Sequence, residues 1–206
     1  MAPYALAADE SCRKVKIGSM DITAHESLTW KYILNQLISG QDLGSRHVDW
    51  AMDEIMTGST PEPILASFLT SLHMKGETSE ELGALARGML AKAETIDLDV
   101  HAVDIVGTGG DQQNTVNIST MAALVIAGTG ATVVKHGNRA STSKSGSADV
   151  LEALGIQLDM PIKSVAACAR QVGITFLFAM TFHPSMRFVG PTRKMLGIPT
   201  AFNYLG

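Results

Sequence analysis

Residues 104–120, DIVGTGGDQQNTVNIST, decide the fold class of this chain and hold most of its functional information. A short apolar strand at 103–106 runs into Gly107, Gly109 and Gly110, and a hydroxyl-rich segment then begins an apolar helix. Glycine allows a ligand to approach closely because it has no Cβ. The N–H groups and the dipole at the start of the helix suit a phosphate. We predict a phosphate-binding loop here; a capped turn that needs no ligand is the alternative.

A second loop, rich in small and cationic residues, follows a predicted strand at 131–134. Its cations can neutralise phosphate, its hydroxyls can donate to phosphate oxygens, and Gly137 permits close approach. A solvated, flexible Ser-rich loop with incidental charges is the alternative. Our hypothesis is that the turn at 107–111 and the stretch at 135–143 face each other across one cleft. The loop comprises Lys135, His136, Gly137, Asn138, Arg139, Ala140, Ser141, Thr142, Ser143, Lys144, Ser145, Gly146 and Ser147.

A third candidate segment lies at 182–187 and is followed by Arg193. Arg193 could hold a substrate carboxylate in a bidentate fork, although spacing alone favours a surface cation on a helix. The sequence has no His/Cys/Asp cluster with metal-ligand spacing and no G-x-S-x-G elbow. These features indicate transfer with a good leaving group rather than covalent catalysis.

Composition excludes several classes of protein. The chain has 206 residues, 46% of them hydrophobic, and a net charge of −4, so nothing global attracts nucleic acid or anionic lipid. Two cysteines, Cys12 and Cys168, favour a reducing cytoplasm over a disulfide framework. The longest apolar run, 174–180, is too short to span a bilayer, and no signal peptide is evident.

The chain divides into three predicted parts: an extension at 1–28, an all-helical domain at 29–98 and an α/β domain at 99–206. In the α/β domain, helices alternate with apolar strands, which implies a parallel sheet that binds ligands beyond the carboxyl ends of its strands. The predicted strands are 103–106, 131–134, 174–179 and 199–205, and the predicted helices are 119–127, 149–154 and 162–172.

Four helical patterns make up the all-helical domain, and a capping box at 78–81 begins the fourth. Their apolar faces are Trp30, Ile33, Leu34, Leu37 and Ile38; Val48, Ala51, Met52, Ile55 and Met56; Ile64, Phe68, Leu69 and Leu72; and Leu82, Leu85, Met89 and Leu90.

Taken together, the motifs resemble those of anthranilate phosphoribosyltransferases, which join anthranilate to the ribose of phosphoribosyl pyrophosphate in tryptophan biosynthesis. The resemblance runs from about residue 30 to the last residue. It implies a fold like that of the nucleoside phosphorylases and phosphoribosyltransferases, a cytoplasmic homodimer formed through the helical domain, and a return of about 183–197 to that domain. The matching segments are GTGGD at 107–111, TVNIST at 115–120, KHGNR at 135–139, GSAD at 146–149, LEALG at 151–155, HP at 183–184 and TAFNYLG at 200–206.

The same resemblance implies a set of site residues and Mg²⁺ as cofactor, with no nucleic-acid or membrane partner. Ser119 would help to hold Mg²⁺, His136 is a possible proton-transfer residue, and Met186 stands where related sequences often carry an aromatic residue. Anthranilate would be bound by Gly107, Asn138, His183 and Arg193. Phosphoribosyl pyrophosphate would be bound by Gly107, Gly110, Asp111, Thr115, Asn117, Ile118, Ser119, Thr120, Lys135, His136, Gly137, Asn138, Arg139, Ala140, Ser141, Thr142, Ser143 and Ser147.

The largest departure from the family pattern is at Gly206. Family members continue through a Gly-Pro-Leu-x-Asn-Pro segment and an acidic pair that binds a second Mg²⁺, so we expect a C-terminal part to be missing. The implied reaction displaces pyrophosphate at an oxocarbenium-like ribosyl centre while Mg²⁺ stabilises the leaving group. We therefore expect the 206-residue form to turn over poorly.

Two other readings stay open at this point. A pyrimidine-nucleoside phosphorylase resembles this architecture, although the KHGNR loop at 135–139 argues against it. A non-catalytic relative that binds phosphate or nucleic acid should show a basic face, whereas this chain is acidic overall.

Overall fold

The computed structural model describes residues 28–107, 116–140 and 145–205. The first part of this chain is all-helical, as predicted. Its helices are α1 (Trp30–Ile38), α2 (Ser45–Met56), α3 (Glu62–Lys75) and α4 (Ser79–Leu90). Helix α1 packs against α3, and α2 packs against α4.

One apolar core joins these four helices. The predicted inward faces are largely confirmed, but α3 buries Leu65 in place of Ile64. Ile38 and Leu90 are 74% and 67% exposed, because each is the last residue of its helix and lies beyond the packed turns. The largest fully buried apolar side chains here are Ile33, Val48, Met52, Ile55, Phe68, Leu69, Leu72 and Leu85.

The C-terminal segment returns to this helical core. It contains a 3₁₀ turn, Pro184–Phe188, and helix α9 (Gly190–Leu196), and buried Val189 and Phe202 belong to the helical core cluster. The ring of Phe188 lies so close to Gly58, whose φ is +79°, that a Cβ there would collide with it. These contacts support the predicted return of about 183–197, while the exact domain boundaries stay a prediction.

The predicted strand at 199–205 is wrong. The segment forms a 3₁₀ turn, Ala201–Asn203, in which Asn203 Oδ1 accepts a hydrogen bond from Thr200 N at 3.0 Å. A side-chain bond of this kind competes with pairing in a sheet. Burial of Ala201 and Phe202 in the helical core also draws the segment away from the strands.

The α/β part contains a parallel sheet, as predicted. Strands β1 (Val133–Gly137) and β2 (Ile174–Phe178) pair in parallel, and Val103 makes a parallel bridge to Val133. The predicted strand at 103–106 is thus reduced to a bridge, because within the described ranges no strand pairs with its outer edge. Strand β1 begins two residues later than predicted and extends through His136 to Gly137.

Four further helices flank these strands. Helix α5 (Ile118–Gly128) contacts β1, and helix α7 (Ile162–Val172) packs on β2. Among the described residues, no helix has both the length and the apolar character needed to cross a membrane. The helices are α5 (Ile118–Gly128), α6 (Ser147–Ala153), α7 (Ile162–Val172) and α8 (Ala179–Phe182).

A fully buried carboxylate, Glu81, ties the helical domain together. Its Oε1 accepts from Leu43 N at 2.8 Å, and its Oε2 accepts from Thr78 N at 2.9 Å and from Lys75 Nζ at 2.8 Å. Burial disfavours the charge of Lys75, but the hydrogen bonds to Asp42 and Glu81 outweigh it and raise the pKa of this ammonium. Glu81 therefore connects the end of α3, the start of α4 and the loop before α2.

We predict that Glu81→Ala lowers the free energy of unfolding by about 3 kcal/mol, because a buried cation and two backbone N–H groups lose their acceptor. Urea denaturation followed by circular dichroism measures this loss. Glu80→Ala removes an exposed acid from the same helical turn and should change the free energy by less than about 0.5 kcal/mol. Equal urea midpoints of unfolding for Glu81→Ala and Glu80→Ala would contradict this stabilising role of Glu81.

Candidate active site

The carboxyl ends of the strands bring the described flanks of the two predicted loops together. In the register of β1 and β2, Gly137 lies beside Phe178, and residue 103 is hydrogen-bonded alongside β1. Asp104 Oδ1 accepts from His136 N at 3.1 Å, so the chain entering the first loop is attached to the start of the second.

The end of the first loop is also attached to the second. Asn117 is the N-cap residue of α5, yet its side chain makes no capping bond. Its Nδ2 instead donates to Gly146 O, 3.4 Å away. The described flanks of both loops therefore lie together, which supports a single cleft over the alternative of a simple capped turn. The predicted ligands Gly110, Asp111, Thr115, Ser141, Thr142 and Ser143 lie outside the described residues.

Lys135, on β1, connects the chain that enters the first loop with the start of the second loop. Only 4% of the residue is exposed, and its Nζ donates to Ile105 O at 2.8 Å and His136 O at 3.3 Å. Burial lowers the pKa of this ammonium, and the charge of Asp104 partly opposes that effect. Lys135, which the sequence predicts to bind phosphate, therefore also attaches the two loops to each other.

The side chain of Arg139 forms an ion pair with Glu152. Its guanidinium donates to both carboxylate oxygens of Glu152 on α6 and lies 4.8 Å from the ring centroid of Phe178. The bond to Glu152 raises the pKa of Arg139. In this arrangement the predicted phosphate ligand forms a half-exposed ion pair that holds the second loop against α6.

Gly137 allows close packing of the second loop. A Cβ at this position would collide with Ser147 Oγ and with the ring of Phe176. The neighbouring carbonyl of Asn138 accepts from Ala148 N at 3.2 Å, and Asn138 Oδ1 accepts from Arg139 N at 2.8 Å. The second loop therefore lies directly on the start of α6.

Two half-buried histidines lie next to each other in the site. The rings of His136 and His183 meet edge to face, with centroids 5.3 Å apart. His136 Nε2 and His183 Nδ1 are buried and have no hydrogen-bond partner among the residues that the structure describes. Burial lowers the pKa of both imidazoles, which makes them neutral at pH 7. A buried polar atom without a partner costs free energy, so a ligand that supplied the missing hydrogen bonds would be bound more tightly.

The first turn of α5 presents the hydroxyls predicted from the sequence. Ser119 is half-buried, Ile118 is largely exposed, and buried Thr120 Oγ1 has no partner within the described part of the chain. Over that same part, His, Cys, Asp and Glu form no group that could hold a metal ion.

Arg193 belongs to the segment that returns to the helical domain. Its Nη2 donates to Asn203 Oδ1 at 3.2 Å, and its guanidinium lies 5.7 Å from the ring centroid of Phe202. Burial lowers its pKa. Asn203 is neutral, and no carboxylate of the described residues forms an ion pair with this half-buried cation.

Comparisons with known proteins agree with this architecture. A family model described as the glycosyl transferase family helical bundle domain matches residues 31–93, and the model of its α/β domain matches residues 99–206. The anthranilate phosphoribosyltransferase of Arthrobacter sp. (strain FB24) is 58% identical over 178 residues, which cover 86% of this chain and 51% of that relative.

Solved structures of anthranilate phosphoribosyltransferases are also similar to this chain. The anthranilate phosphoribosyltransferase of Thermus thermophilus superposes with a TM-score of 0.77 at 42% identity, covering 84% of this chain and 53% of that one. The Saccharomyces cerevisiae enzyme in complex with PRPP and Mg has a TM-score of 0.79 at 34% identity, covering 88% and 55%. The chain spans about half the length of the curated relatives it matches.

We predict that acidification destabilises the fold through His136 and His183. Since folding lowers both pKa values, the unfolded chain binds protons first as the pH falls from about 6.5, and the free energy of unfolding then decreases. Urea denaturation between pH 7.5 and 5.5 should give a flatter pH dependence for the double variant His136→Asn/His183→Asn than for the wild type. His101→Asn, at an exposed position, controls for the loss of an imidazole. If the free energy of unfolding depends on pH equally in the double variant and the wild type, this role of the two histidines is refuted.

Proposed function

Because this chain belongs to the glycosyl transferase family defined by that helical bundle and α/β domain, we propose that it acts as an anthranilate phosphoribosyltransferase in tryptophan biosynthesis. The reaction transfers the phosphoribosyl group of phosphoribosyl pyrophosphate to anthranilate and releases pyrophosphate. The observation that carries this proposal is the attachment of the two loops at both ends, from Asp104 to His136 and from Asn117 to Gly146.

The phosphate end of the substrate would lie between the loops. Ser119 and Thr120, in the first turn of α5, offer hydroxyls beside the positive end of the helix dipole. Asn138 and Ser147 would contribute from the second loop, and Lys135 would supply positive charge below it. The predicted ligands that lie outside the described residues belong to the same proposal.

Anthranilate would lie towards Gly107, Asn138, His183 and Arg193. The Arg193 guanidinium can hold the anthranilate carboxylate with two parallel hydrogen bonds, since its partner Asn203 leaves the charge uncompensated. In the reaction, the amine nitrogen forms a bond to C1 of the ribose while the C1–O bond to pyrophosphate breaks. The amine then loses a proton, and neutral His136, whose Nε2 lacks a partner among the described residues, is the proposed acceptor.

Magnesium keeps several waters and is commonly bound through one or two carboxylates together with the phosphates of a substrate, so the described residues would supply only part of its coordination. Ser119 would hold it from the protein side. When bound, the ion would neutralise the charge of the pyrophosphate leaving group. The Ser119 hydroxyl itself would orient the pyrophosphate against the start of α5.

Assembly through the helical domain is also part of the proposal, with a cytoplasmic homodimer as the functional unit. Helices α1 and α3 expose Ile38 and Met74, at 74% and 83%, which supplies apolar surface on that domain. Light scattering after size-exclusion chromatography measures the oligomeric state.

Calorimetry with phosphoribosyl pyrophosphate and Mg²⁺ tests the proposal first, because it measures binding even when turnover is slow. This matters because the chain spans about half the length of its relatives. Loss of anthranilate fluorescence in the complete mixture then tests the transfer. Failure to bind, or phosphorolysis of thymidine or uridine, would overturn the proposal.

We predict that Arg193→Lys weakens anthranilate binding about tenfold, because lysine cannot form the bidentate fork. The affinity for phosphoribosyl pyrophosphate should be unchanged, since Arg193 is not among its predicted ligands. Equilibrium titration of both ligands measures the two affinities, and the unfolding temperature reports any loss from the bond to Asn203. Lys194→Ala, at the exposed neighbouring cation, is the matched control. Equal anthranilate affinities for the two variants would contradict the role of Arg193.

A further inference from the structure

Asp149 holds the two ends of the second loop with a single oxygen atom. Its Oδ2 accepts from Ala140 N at 2.8 Å and from Gly146 N at 2.6 Å. Asp149 is the third residue of α6, so the helix fixes the position of its carboxylate. Ala140 and Gly146, the described ends of this loop, therefore lie side by side.

The surrounding chain is packed closely around this point. A Cβ on Gly146 would lie 2.5 Å from Ala140 N and 2.6 Å from Asn138 O, so the two ends of the loop are in direct contact. Asn138 O also lies 3.5 Å from the donating Ser147 Oγ. Movement at Gly146 would therefore displace both Asn138 and Ser147.

The same junction reaches the first loop. Gly146 O accepts the hydrogen bond from Asn117 Nδ2, and Asn117 is the residue directly before the helix that begins with Ile118. A change in the position of Gly146 is thus transmitted to the start of α5. Asp149 is linked in this way to candidate ligand groups on both sides of the cleft.

The charge of Asp149 strengthens these bonds, because hydrogen bonds to a carboxylate are stronger than those to a neutral acceptor. The N–H groups of Ala140 and Gly146 hold the pKa of this carboxyl below its ordinary value, so it is ionised at neutral pH. With Oδ2 occupied by two backbone donors, Asp149 contributes to the site through the backbone rather than through substrate.

We propose that Asp149 is a positioning residue for phosphoribosyl pyrophosphate, which holds Asn138, Ser147 and Asn117 in the arrangement that binds the phosphates. This inference rests on the proposed function, because it assumes that the two loops bind that substrate. It adds to the proposed function a residue that touches neither substrate.

The test is calorimetry with phosphoribosyl pyrophosphate and Mg²⁺ on three variants of the whole 206-residue chain. Asp149→Ala should weaken binding at least about tenfold, because it removes the acceptor of two backbone bonds. Asp149→Asn should retain affinity within about threefold, because the amide oxygen can accept the same two bonds. Asp49→Ala removes an equal charge from an exposed position on α2 and should bind like the wild type.

Hydrogen exchange followed by NMR provides a readout that does not depend on the ligand. The amides of Ala140 and Gly146 should exchange about tenfold faster in Asp149→Ala, whereas the amide of Val134 in β1 should not change. If Asp149→Ala does not fold, Asp149→Ser replaces it, because the shorter side chain cannot accept both backbone bonds. An affinity of Asp149→Ser equal to that of Asp49→Ala would then overturn the proposal.

The outcomes separate the two proposals. A wild-type chain that binds the substrate, together with an Asp149→Ala variant of equal affinity, overturns the positioning role and leaves the proposed function intact. A wild-type chain that does not bind overturns the proposed function and this inference with it. Weaker binding in Asp149→Ala, at an unfolding temperature equal to that of Asp49→Ala, and recovery in Asp149→Asn support the inference.

Discussion

The parallel register of β1 and β2, continued by the bridge from Val103 to Val133, is the constraint on which the candidate site depends. Strands that run in the same direction end at the same edge of a sheet. The chain after each strand therefore emerges at one place, and the two loops and His183 meet there. A shift of one residue would turn Lys135 from its buried position towards the opposite face and break its bonds to the carbonyls of Ile105 and His136.

Both parts of the protein use the same device to connect segments. In each, an acid at the third residue of a helix accepts hydrogen bonds from two backbone N–H groups, one of them at the N-cap residue. Glu81 connects Thr78 to Leu43, and Asp149 connects Gly146 to Ala140. A carboxylate suits this position because it also interacts favourably with the helix dipole. Local capping and long-range connection are thus performed by one side chain.

How far the sequence predicts this protein differs between its elements. The four N-terminal helices follow from apolar periodicity and caps, and both are local properties. The predicted strand at 199–205 fails because Phe202 is buried in the helical core and Asn203 bonds to Thr200. The predicted site residues follow from residue type and from the family resemblance. The ion pair of Arg139 with Glu152 and the close packing at Gly137 depend instead on neighbours that no spacing rule identifies.

By itself the sequence determined the helices, the parallel character of the sheet and the positions of the two loops to which we assign phosphate binding, since periodicity, glycine turns and caps act between near neighbours in the chain. Only the tertiary structure decided that His136 meets His183, that Lys135 bonds to Ile105 and that Asn117 reaches Gly146. Those pairs join segments far apart in sequence. Their geometry comes from strand register and core packing, which the whole chain sets together.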